Sequence, residues 1–169
     1  MAESERPQIV RVSSAHVLSE WRGHVLGIWS GVPDLEAARA LASTVERLAS
    51  QRPGCAAYLG QIRTLSALPD EPIRRVLIEL GRRVNQTLNC AGIVIDGQGF
   101  HAATVRAFVT GLGLAARSRF PMRGFSTLPA MVAWVRPRLI AAQSDPGSEP
   151  EIQAAFAHLA ARSEERRVG

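Results

Sequence analysis

Short apolar runs and longer runs with helical spacing succeed one another along the chain. Ile9-Val10-Arg11-Val12 alternates and is β-branched, which predicts a first strand. Trp21-Arg22-Gly23 reads as a turn, and His24 to Trp29 as a second strand stopped by Gly31 and Pro33, so that the two strands form a hairpin. A long helix begins at Pro33-Asp34, with Asp34 as N-cap and Glu36 in the first turn. It carries the stripe Leu35, Ala38, Leu41, Ala42, Val45, Leu48 and Ala49 and ends at Pro53-Gly54. Cys55 to Gly60 predicts a buried strand. Asp70-Glu71-Pro72 opens a second helix whose apolar face is Ile73, Val76, Leu77, Leu80, Val84 and Leu88. Cys90 to Ile95 has the continuous apolar character of a parallel strand, followed by the loop Asp96-Gly97-Gln98-Gly99 and a third helix with Val105, Phe108, Val109 and Leu112 inside. Phe120 to Phe125 predicts a last strand, at a sheet edge because of Pro121. Ser126 or Thr127 caps a further helix with Met131, Trp134 and Val135 inside.

This order predicts an α/β fold: a mixed sheet of about five strands with an N-terminal hairpin, right-handed crossovers and helices largely on one face. The other face then needs cover, from the tail or from a second subunit. By composition, residues 1–7 form a flexible N-terminus, 8–142 the domain, 143–150 (Gln-Ser-Asp-Pro-Gly-Ser-Glu-Pro) a linker, and 151–169 a C-terminal amphipathic helix and tail. Its stripe of Ile152, Phe156 and Leu159 either packs on its own domain or crosses to a second copy as a homodimer contact.

With 169 residues and 46% hydrophobic content, the chain can build one core without a metal or disulfide staple. The net charge of +5 and a pI near 10.8 suggest nucleic acid at first sight. All 20 basic residues are Arg, however, scattered along the chain, and aromatics are 5%. Nucleic-acid binders concentrate positive charge in a patch with aromatics or base-reading groups among it, so nucleic acid is not the expected partner. The all-Arg, Ala-rich composition suggests a GC-rich bacterial genome. Cys55 and Cys90 are too few for a disulfide framework and match no zinc spacing; each opens an apolar run and reads as a core residue, although neighbouring parallel strands would bring the thiols close. No secretory signal and no run of about 18–20 apolar residues is present, so the expectation is a cytoplasmic protein without a membrane span.

Three local patterns resemble the STAS domain of anti-sigma-factor antagonists and sulphate-transporter tails. Ile28-Trp29-Ser30-Gly31-Val32-Pro33-Asp34, leading into the Ala/Leu helix, is similar to that family's strand, turn and first helix. Gly111-Leu112 resembles the Gly-Leu before its last strand, and Phe125-Ser126-Thr127 running into Pro129 to Trp134 resembles its final strand and short helix. The likeness covers about residues 8 to 140. It implies a STAS-like fold and a regulatory or scaffolding role through contacts with another protein. The family's phosphorylatable Asp-Ser-x-Gly motif is missing: its place holds Arg63 to Glu71, where Thr64 and Ser66 stand near an acidic Asp70-Glu71 helix start that would repel a phosphate.

No catalytic, cofactor-binding or metal-ligating set emerges. His16, His24, His101 and His158 lack zinc spacing, and there is no Gly-x-Ser-x-Gly elbow. The Asp96 loop has two readings: glycines that let backbone N–H groups approach an anion, or a tight turn capped by Asp96. Arg74, Arg75, Arg82 and Arg83 form either a solvated helix face or a docking site for an acidic partner. The expected partner-binding surface is the carboxyl edge of the sheet, with Ser30, Asp34, Thr64, Ser66, Asp96 and Gln98, together with Arg74 and Arg75. The alternative function is a carrier of a small or lipid-like ligand held between sheet and helices; an enzyme has least support.

Overall fold

Three helices of this protein begin where a short polar side chain caps the first free N–H groups. The computed structural model describes residues 6–13, 15–32, 34–64 and 67–168, the side chains of Thr64 and of residues 166–168 excepted. Its elements run β1 (Gln8–Val12), β2 (His16–Trp21), β3 (His24–Ser30), α1 (Leu35–Gln51), β4 (Ala56–Thr64), α2 (Glu71–Arg83), β5 (Leu88–Ile95), α3 (Gly99–Ala116), β6 (Met122–Phe125), α4 (Leu128–Ala141) and α5 (Glu149–Val168). Asp34 accepts from Ala37 N at 2.6 Å, Asp70 from Ile73 N at 3.1 Å and Thr127 from Ala130 N at 3.3 Å, each satisfying a donor that the first helical turn leaves free.

The described strands form one six-stranded mixed sheet in sequence order, β1 to β6. β1, β2 and β3 are antiparallel neighbours, and β3, β4, β5 and β6 are parallel. The strand count is six instead of about five because β2 was not expected. Its polar His16 and Ser19 are fully buried between Val17, Leu18 and Trp21, so the strand lacks the apolar/polar alternation of a half-buried strand. The N-terminal hairpin is therefore doubled. Its β2–β3 turn is Arg22-Gly23, both with positive φ, as the twist of a two-residue hairpin requires. β5 starts at Leu88, which had been expected at the end of the second helix, and β6 is an edge strand starting just after Pro121.

Side-chain alternation sorts the core into two layers. On one face Leu18, Val25, Tyr58, Leu88 and Ala91 meet Leu41, Val45 and Leu48 of α1, and further along it Ile95 meets Val105 and Val109 of α3. On the other, Val17, Leu26, Ile28, Leu59 and Val94 meet α4 and α5. α5 supplies the cover that sequence-ordered parallel strands leave missing. Ile152, Phe156 and Leu159 are buried against β2 and β3 of the same chain, so that stripe is not a free face for a second copy.

The segment expected as a linker is also packed. Ser144, Pro146 and Gly147 are buried. Arg22 pairs with both Asp145 and Glu151, His24 Nε2 donates to the Asp145 carbonyl at 3.0 Å, and Arg136 Nε donates to the Gly147 carbonyl at 3.0 Å. Residues 143–148 thus form a strap that ties α5 to the β2–β3 turn, and domain and tail share one core. Residues 1–5 of the expected flexible N-terminus lie outside the described residues. No helix among the described residues is long and apolar enough to cross a membrane.

Candidate functional site

α2 is held mainly by its flanking helices α1 and α3 and stands off the sheet. Of its apolar stripe Ile73 is buried, but Leu77 and Leu80 are only partly so. The gap beneath them is a partly open, apolar pocket of about 120 Å³. Leu77 and Leu80 of α2, Val109 and Leu112 of α3, and Tyr58 and Ala91 of the sheet are among the residues around it. None of the described lining residues is charged.

Tyr58 forms the polar part of that wall. Ala56, Tyr58, Gly60 and Ile62 alternate onto the α1–α3 face of β4. The Tyr58 ring leans along the sheet because Gly60, and Gly27 on β3, have no side chains. A Cβ built at either position would lie 2.8 Å and 3.1 Å from the Tyr58 oxygen. Trp29 Nε1 donates to that oxygen at 2.9 Å, and the His16 ring stacks on Trp29 with centroids 5.3 Å apart. Burial pushes the Tyr58 pKa up to about 12, against the pull of the Trp29 hydrogen bond, so the phenol is neutral at physiological pH. The sequence carried a signal for this site: glycines inside two neighbouring strands mark a close approach. Without knowing that β3 and β4 pair with Gly27 beside Gly60, nothing joined them to Tyr58.

The expected rim residues come together in part. Ser30 ends β3, beside Thr64 at the end of β4, and Asp96 follows β5, so the three occupy neighbouring positions along the carboxyl edge. Ser30 is buried and Asp34 is the cap of α1; Ser66 and Pro33 lie outside the described residues, as does the Thr64 side chain. Asp96 does not cap α3, contrary to expectation. Its carboxylate accepts from Gln61 Nε2 at 2.9 Å, and the cap position belongs to Gln98, which makes no side-chain cap bond. Arg74 and Arg75 are exposed on α2, and both hold Glu71 of their own helix, at 2.6 Å and 3.0 Å, which lowers the Glu71 pKa. Arg83 pairs with Glu46 across to α1 as well as with Glu79 of its own helix.

The loops leaving the parallel strands also carry exposed apolar side chains: Val32 after β3, Leu68 after β4 and Phe100 in the first turn of α3, the last 90% exposed. Both cysteines are free. Cys90 is buried, with its thiol pushed up to about 11 by desolvation, and Cys55 contacts the Ala142 carbonyl. Among the described residues no three His, Cys, Asp or Glu side chains gather as a metal site would require. No protein-family model and no curated protein matches the chain.

Proposed function

We propose that the chain is a non-catalytic, cytoplasmic binding module of STAS-like architecture that holds a small apolar molecule between the sheet and α2. The observation that carries this reading is the apolar pocket of about 120 Å³ beneath a helix that stands off the sheet. Native cores leave few voids larger than a water molecule, and an apolar cavity near 150 Å³ is enough to take benzene. The pocket therefore fits a single ring or a short acyl segment, well short of a whole lipid. Its wall lacks converging acids and bases, which supports binding without chemistry. Benzene near its solubility limit is expected to raise the thermal unfolding midpoint of the wild type. Ala91→Leu, which extends a side chain into the pocket wall, is expected to abolish that rise. No rise in the wild type would end this reading.

A second reading follows from exposed Val32, Leu68 and Phe100 on adjoining loops. Large exposed apolar side chains gathered on one edge suit a protein contact. The carboxyl rim would then be the surface through which a regulatory or scaffolding role operates.

A further inference from the structure

Tyr58 is nine-tenths buried in the pocket wall and carries a hydrogen-bonding group that is only half used. Its oxygen accepts from Trp29 at 2.9 Å, while among the described residues its own hydrogen has no acceptor. Buried donors are seldom left in that state. Gly27 and Gly60 keep side chains away from the oxygen on the sheet side, so the group sits at the pocket floor without a competing neighbour there. Among the described residues that line the pocket none is charged. A carboxylate or ammonium entering would lose its hydration and meet no counter-charge.

We infer that the pocket takes an uncharged, apolar molecule about the size of one ring that presents a single hydrogen-bond acceptor, such as a ketone oxygen, to the hydroxyl of Tyr58. This rests on the reading of the pocket as a ligand site. Trp29, itself part of the pocket lining, donates to the phenol oxygen, so the phenol's own hydrogen remains for the guest. The size follows from the volume, the neutrality from the described lining, and the single acceptor from the one donor left free among the described lining residues.

The test compares cyclopentanone with methylenecyclopentane, which has the same shape with a CH₂ group in place of the oxygen, by titration calorimetry on the full chain. In wild type and Tyr58→Phe the ratio of the two affinities is compared, so that the different hydration of the probes cancels. The ratio is expected to shift against the ketone by about tenfold in the variant, the size of a lost hydrogen bond to a buried acceptor. In the wild type alone, the infrared carbonyl band of bound cyclopentanone is expected below its position in a hydrocarbon solvent. This band decides the matter if the variant does not fold. Cyclobutanecarboxylate is expected not to bind. If both neutral probes bind with an unchanged ratio, or the band stays at its hydrocarbon position, the acceptor class is overturned while the pocket reading stands. Carboxylate binding as strong as the ketone's overturns the neutrality. If neither neutral probe binds, the pocket reading fails and this inference with it.

Discussion

Replacing Leu159 by Ala asks whether α5 belongs to the core or is appended to it. Leu159 is fully buried, in one cluster with Val17, Leu26, Ile28, Ile152 and Phe156. Removing three carbons from such a site costs the transfer free energy of the lost methine and two methyl groups plus a term for the cavity left behind, about 2–5 kcal/mol. A domain of this kind is stable by about 5–15 kcal/mol in all, so one substitution in the tail removes a substantial share of the stability of the whole sheet. Urea denaturation followed by tryptophan fluorescence reads that effect where it matters, because Trp21 lies on β2 under Gly147 of the strap and Trp134 lies on α4. With an m-value of about 2 kcal/mol per molar, the midpoint is expected to fall by about 1–2.5 M in a single transition with unchanged slope. Phe156→Ala is expected to behave alike. A tail that docked as an independent helix would give a different result: helicity lost early, and the fluorescence midpoint unmoved. That outcome would refute the shared core.

Gly147→Ala is expected to lower stability by about 1–3 kcal/mol, since the residue has φ +70° and an added Cβ would lie 2.6 Å from the Trp21 ring; a thermal midpoint equal to wild type would show that the strap does not bear on Trp21. His16 and His24 are buried, and burial lowers both pKa values from 6.5. For His16 Asp34 pulls the other way, and for His24 the Asp145 hydrogen bond does. Above about pH 6.5 neither the folded nor the unfolded chain holds these protons. Below it the unfolded chain takes them first, so stability is expected to fall as pH drops from 6.5 towards the lowered folded values, by about 1.4 kcal/mol per pKa unit for each residue. Urea midpoints measured from pH 8 to pH 5 check this, and a flat profile would remove the two histidines from the account.

His24 shows why a residue of this type gives so little away in sequence. Its neutral ring donates from Nε2 to the Asp145 carbonyl and accepts at Nδ1 from Ala57 N at 3.3 Å, joining strap, β3 and β4. Those partners are 121 and 33 residues distant along the chain. Arg74 and Arg75 are the opposite case: their partner Glu71 stands three and four residues away on the same helix, a spacing at which helical side chains meet.

The local signals were sufficient for what local chemistry decides. Capping Asp34 and Asp70, a cap at Ser126 or Thr127 that the structure assigns to Thr127, the Leu/Ala stripe of α1 and the continuous apolar run of β5 are legible locally, because caps and periodicities act over a few positions. The order of elements carried the parallel sheet with it, since right-handed crossovers leave few alternatives. Tertiary structure alone decided three matters. β2 became a strand because both its faces are covered, which permits His16 and Ser19 to sit inside. The presumed linker became a strap because Arg22, His24 and Arg136 reach it from elsewhere in the fold. The pocket exists because α2 is held by its neighbouring helices at a height above the sheet that its own apolar stripe does not specify. Each depends on contacts between residues remote in sequence, whose energy is set by where the chain brings them and not by what stands beside them.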